Sequence, residues 1–148
     1  MAIDLTPFAE RLEAAIADGT YCLVATNGTD GIPDVGFKGS MMVFNEEHLA
    51  YWERVRGQML ANVVAGSGAA VLYYNRERRS HVRFFGRNAT VHAEGDVREA
   101  VMARTPQLEL DRDPERKGVA VLIRIVLLAR EERTGRGTTV CRARRFQV

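Results

Sequence analysis

The amino-acid sequence predicts a mainly β protein: a small barrel of about six to seven antiparallel strands with peripheral helices, assembled as a homodimer. Three observations predict it. Runs rich in Val, Leu, Ile and aromatic residues recur along the chain, separated by short Asn-, Asp- and Gly-rich turns that favour antiparallel neighbours. The run Val119 to Ala129 is apolar on both faces, so both must be covered. Val119, Val121, Ile123, Ile125 and Leu127 are expected on one face and Ala120, Leu122, Val126 and Leu128 on the other; a barrel interior covers the first, and a helix or a second subunit the second. Finally, 148 residues with 46% hydrophobic and 27% charged side chains make one ordinary globular domain, residues 1–148, with its own core.

In chain order, residues 1–19 supply an N-terminal helix. Thr6 is expected as its N-cap, Pro7 at the first helical position, Leu5, Phe8, Leu12, Ala15 and Ile16 on one face, and Asp18-Gly19 as the stop. Tyr21 to Thr26 reads as the first strand, ended by Asn27-Gly28 and the turn residues up to Asp34. Val35 to Phe44 reads as the second strand and His48 to Glu53 as the third. Gly57 to Ala65 reads as a short helix directed inward by Leu60, Val63 and Val64. Ala69 to Tyr74 is the fourth strand. Val82 to Ala93 is the fifth, with Gly86 marking a bulge or barrel corner. Glu94 to Arg104 is a second helix, Asp113 to Gly118 a turn, Val119 to Ala129 the sixth strand, and Thr138 to Phe146 a seventh within a C-terminal strand and tail over 130–148.

Several functions are disfavoured at this level. The charge sum is +2, with no concentrated basic face to attract nucleic acid; only Arg76 to Arg79 and Arg142 to Arg145 cluster. A nucleic-acid-binding barrel built on those clusters would show binding that falls steeply with salt. Cys22 and Cys141 make no disulfide framework and read as reduced, buried thiols. No signal peptide pattern opens the chain, and Arg124 interrupts its longest apolar run, so a cytoplasmic location without membrane contact is expected. His48, His81 and His92 lack metal-ligand spacing, and no metal is expected. Gly31 to Lys38 only superficially resembles a phosphate loop, because Phe37 separates Gly36 from Lys38 and strand residues follow.

The candidate site residues are polar or glycine positions in unusual places. Lys38-Gly39-Ser40 offers a cation, bare backbone and a hydroxyl within a strand. Gly57 opens the short helix, whose free N–H groups favour an anion, with Arg54 and Arg56 just before it. Alternation sends Tyr51 and Trp52 to opposite faces, one to the core and one to a cleft or interface. The same alternation puts His81 and Arg83 on one side of their strand. Arg124 requires a carboxylate or an anionic ligand if it is buried.

These segments, in this order, resemble the pyridoxamine-phosphate-oxidase-like family of FMN-binding split β-barrels. The match runs from about Leu23 to Leu128. Its marks are Leu23-Val24-Ala25-Thr26, an Asp-Gly turn with Pro33, Lys38-Gly39-Ser40, Leu49-Ala50-Tyr51-Trp52, Gly57 with Asn62, Ala70-Val71-Leu72, and Arg83-Phe84-Phe85-Gly86 with Ala89. The resemblance implies a homodimer with two flavin sites at its interface. It implies that the strand from Lys38 to Val43 lies along the flavin ring and ribityl chain, that the region from Tyr51-Trp52 to the start of the short helix takes the phosphate, and that His81 to Arg83 adds a contact. The implied cofactor-binding set is Lys38, Gly39, Ser40, Met41, Tyr51, Trp52, Arg54, Gln58, Asn62, His81 and Arg83.

The family's oxidases place Lys or Arg at the beginning of the short helix, where this chain has Gln58, Met59 and Leu60. FMN is the first cofactor the resemblance implies, and this departure from the family's pattern weakens it and leaves room for deazaflavin, haem or no cofactor. The tail does not match a pyridoxamine-phosphate substrate site, so vitamin B6 oxidation is not expected. The implied activity is an FMN-dependent oxidoreductase acting on a small redox substrate, with NAD(P)H as an electron donor to be tested. The alternative is a non-catalytic flavin, deazaflavin or haem binding protein. The cofactor itself does such chemistry, so no side chain is named as a catalytic acid or base.

Overall fold

A computed structural model describes residues 3–134 and 137–142, with side chains for residues 3–130. Its strands are β1 (Cys22–Asn27), β2 (Pro33–Lys38), β3 (Met42–Val43), β4 (His48–Glu53), β5 (Ala69–Asn75), β6 (Ser80–His92), β7 (Val119–Thr134) and β8 (Gly137–Arg142). They form one antiparallel sheet in the order β2-β1-β5-β6-β7-β4-β3, with β8 beside β7. The helices are α1 (Ala9–Ala14), α2 (Gln58–Val64), α3 (Asp96–Arg104) and α4 (Gln107–Asp111). The two ends of the strand order, β2 and β3, are consecutive in the chain, so the sheet curls until residues 39–41 join its ends. Among the described residues no backbone ladder crosses that seam, which makes the barrel a split one.

The inner face holds the main core. Val24, Val71, Tyr73, Val82, Phe84, Ile123, Leu49 and Tyr51 contribute to it from the strands, and Phe8, Leu12, Leu60 and Val63 pack into it from the helical segments. The opposite face of β4 and β7 carries a second core, where Val101 of α3 covers Met42, Ala50, Trp52, Ala120 and Leu122. A helix of the same chain thus covers this part of the doubly apolar strand.

Several sequence expectations need correction. The predicted second strand breaks at residues 39–41. Here the Ser40 hydroxyl accepts from Trp52 N–H (2.9 Å) and donates to the Trp52 carbonyl (3.3 Å), replacing ladder bonds. The N-terminal helix is a 3-10 turn over Thr6–Phe8 followed by α1, and the Asp4 carboxylate, not Thr6, accepts the first free N–H, that of Thr6. Helix α4 was not anticipated. In β7 the alternation fails past Ile125: Leu128, not Leu127, packs on the inner core, because a register shift opposite Phe85 and Gly86 makes Val126 the extra residue. Gly86 is the predicted corner; a Cβ there would collide with the Ile123 side chain and lie 2.9 Å from the Arg124 carbonyl. Arg124 is not buried: about half its side chain is exposed, 3.6 Å from Glu47. The side chains of the Arg142 to Arg145 cluster and of Cys141 lie outside the described residues.

Candidate functional site

The sequence-predicted residues fall into separate places. Lys38 points inward from the end of β2, and its ammonium meets the buried Glu53 carboxylate at 2.5 Å, reaching across the split from β2 to β4. The same ammonium stands 5.2 Å from the centre of the Tyr51 ring. Burial, and then the charge of Glu53, push the Tyr51 phenol above its ordinary pKa, and its buried hydroxyl has no hydrogen-bond partner among the described residues. Gly39 does admit a close approach, but by this chain's own Glu109: a Cβ at Gly39 would lie 2.7 Å from Glu109 Oε1. Glu109, buried on α4, also accepts from Arg54 (3.2 Å) and Arg112 (2.9 Å). Met41 is a core residue.

Trp52 is buried as well, so both members of the Tyr51–Trp52 pair are core, on opposite faces as predicted. Its indole N–H donates to Asp113 (3.0 Å), and the Arg98 guanidinium covers its ring at 4.9 Å. Burial works against the Asp113 carboxylate, yet the bonds from Gly118, Lys117 and Trp52 outweigh it and hold its pKa below the ordinary aspartate value. Further along, Gln58 donates to Asn62 (2.7 Å) and the buried Asn62 amide donates to Thr26 (3.1 Å), tying α2 to β1. Arg56 donates to the Lys117 carbonyl (3.3 Å).

His81 and Arg83 stand elsewhere, on the outer face of β6. Sequence reasoning missed what surrounds them. Register aligns Val35, Ala25, Ala70, Phe85 and Leu127 as one apolar row across β2, β1, β5, β6 and β7. A second row runs Phe37, Leu23, Leu72, Arg83. Phe37 is 69% and Val35 63% exposed, and the rest of the first row is half-buried. The signal was available: Val35 and Phe37 alternate with Gly36 and Lys38, so an inward Lys38 forces two large apolar side chains outward. Monomeric proteins rarely leave so continuous an apolar patch open.

Comparison with known proteins decides the family. The family model for pyridoxamine 5'-phosphate oxidase matches residues 8–127. The chain belongs to the pyridoxamine 5'-phosphate oxidase family. Among solved structures, a candidate pyridoxamine 5'-phosphate oxidase of Lactobacillus delbrueckii is 28% identical, with 78% of this chain and 88% of that one covered at a TM-score of 0.62. HupZ of Group A Streptococcus is 25% identical, with 82% and 91% covered and a TM-score of 0.64. A pyridoxamine 5'-phosphate oxidase-related, FMN binding protein of Nostoc punctiforme is 14% identical, with 94% of each chain covered and a TM-score of 0.61; this likeness is one of fold. No curated protein matches the chain.

The family's cofactor can be tested against the residues present. A planar ring matches the outer face, where paired Ala25 and Ala70 present small apolar side chains and His81 and Arg83 stand on the same side of β6. For a phosphate monoester at the start of α2, one cation of three stands open. Lys38 and Arg54 are engaged with Glu53 and Glu109 and the Val55 N–H is taken by Glu53, whereas the exposed Arg56 donates to an uncharged carbonyl, that of Lys117. Among the described residues no group of three or more His, Cys, Asp or Glu could hold a metal ion, and no helix is long and apolar enough to cross a membrane.

Proposed function

We propose that this protein is a flavin-dependent oxidoreductase that works as a homodimer, the ring lying in the seam between two copies. The observation that carries it is the open apolar row from Val35 to Leu127 on the outer sheet face, in a chain of the pyridoxamine 5'-phosphate oxidase family. A second copy laid on this face would bury Phe37, Val35 and Leu72 and exclude water from between the sheets. A flavin ring supplies electron-transfer chemistry when bound; the chain supplies a flat floor, exclusion of water and hydrogen-bond donors. On the outer side of β6, His81 and Arg83 are the donors placed to orient such a ring.

The test is direct. The purified protein should take up riboflavin or FMN with a visible flavin spectrum, and NAD(P)H mixed in a stopped-flow instrument should bleach it. Binding of both flavins without any reduction favours the carrier reading. Failure to bind either flavin sinks the proposal. Haem remains the second reading because His81 presents an imidazole on the same outer face; a Soret band lost in His81→Ala would support it.

A further inference from the structure

Resting on the homodimer reading above, we infer that the seam between the two copies is completed by an oxyanion held by Arg83, so that anion binding and pairing are coupled. Arg83 stands at the end of the row Phe37, Leu23, Leu72, an exposed cation beside three apolar side chains. Its other cross-strand neighbour is Ala129. Among the described residues Arg83 has no hydrogen-bond or ion-pair partner. The outer rows that surround it hold Val35, Ala25, Ala70, Phe85 and Leu127 on one side and Tyr74 and His81 on the other. None of these is a carboxylate; Glu131, opposite His81, has its side chain outside the described residues.

The same sign continues beyond Phe85. Arg87 lies directly opposite Arg124, both exposed, and His48 flanks Arg124 from β4. Glu47, 3.6 Å from Arg124, answers only one of these charges. Like charges directly opposite on a sheet repel. In a single copy, water solvates Arg83. A second copy laid on the face removes that water, and a two-fold pair presents the same patch to itself. The described rows then bring apolar groups and further cations toward the guanidinium. A desolvated charge without a partner opposes pairing. A carboxylate or phosphate group answers it, because its oxygens match the guanidinium fork two by two. Apolar burial and ion pairing then need each other, and by linkage each strengthens the other by the same factor.

The test is sedimentation equilibrium of the full chain in chloride and in inorganic phosphate at matched ionic strength. Phosphate should tighten the dimer at least about fivefold. Arg83→Gln removes the charge and keeps a polar side chain. It should pair at least about fivefold more tightly than the unaltered chain in chloride, and phosphate should no longer affect it. Where pairing is too tight for sedimentation, the rate of subunit exchange between fluorescently labelled copies reads the same differences. Weaker pairing in Arg83→Gln overturns the inference, because a carboxylate of the second copy then holds the guanidinium. A dimer indifferent to phosphate and to the substitution also overturns it, while the homodimer reading stands. Flavins locate the oxyanion. FMN that makes the dimer indifferent to phosphate supports an oxyanion on the ring ligand; riboflavin that leaves the phosphate effect in place supports a separate small acid. A chain monomeric in both buffers and with either flavin sinks the homodimer reading itself.

Discussion

Two regions of this molecule have opposite chemistry: the corner at residues 38–40 and the outer face carried by β2, β1, β5 and β6. The corner is polar and closed. Lys38 is satisfied by Glu53, Ser40 by the Trp52 backbone, and the space beside Gly39 by Glu109. The outer face is apolar and open, with Phe37 and Val35 standing into solvent from an edge strand. Charged and glycine positions attract attention in a sequence because they look made for a ligand. Here they hold the split barrel together, and the face with least polar chemistry is the one left without a partner among the described residues.

Breaking the corner should cost most. Glu53→Ala leaves the partly buried Lys38 ammonium without its carboxylate, and urea unfolding should show a loss of up to about 3 kcal/mol. Replacing both partners by Met and Leu should recover most of that loss, because an apolar pair of similar volume avoids desolvating charge. Gly39→Ala should cost about 1–3 kcal/mol by forcing Glu109 aside. The penalty should shrink when Glu109 is shortened to Ala in the same chain.

The open face should respond in the other way. Phe37→Asp, at a 69% exposed position, should change folding stability by no more than about 0.5 kcal/mol while abolishing self-association in sedimentation equilibrium. A Phe37→Asp variant that remains dimeric would break the comparison between the two regions.

Titration gives smaller effects. The Asp113 carboxylate titrates below its unfolded value of about 3.9, so the unfolded chain binds the proton more readily. Its contribution is fully present above that value and is lost as pH falls through the depressed folded pKa. Asp113→Asn should therefore flatten the acid limb of the stability profile. Smallest of all, burial pushes the Cys22 thiol up to about 12, so iodoacetamide at pH 8 should leave it unmodified in the folded protein.

Much of the fold was legible. The strand His48 to Glu53 and the corner at Gly86 follow from local pattern, and Ala69 to Tyr74 needs only one more residue. The missed elements share a cause. Helix α4 is a short, charged segment whose Glu109 meets Arg54, a partner 55 residues away. The break at Ser40 depends on a strand 12 residues on. The slip in β7 depends on where β6 bulges. For the site, the sequence named residue types correctly but could not tell which donors were already taken.

The linear chain by itself determined a β-rich domain with its turns and its inward and outward alternation, because these depend on neighbours one to four positions away. Only the tertiary structure decided that Lys38 and Arg54 are neutralised from within, that a helix covers one side of β7, and that Val35 to Leu127 align as one apolar row. Those outcomes require strands distant in sequence to lie side by side, and no local periodicity encodes which side chain will meet which.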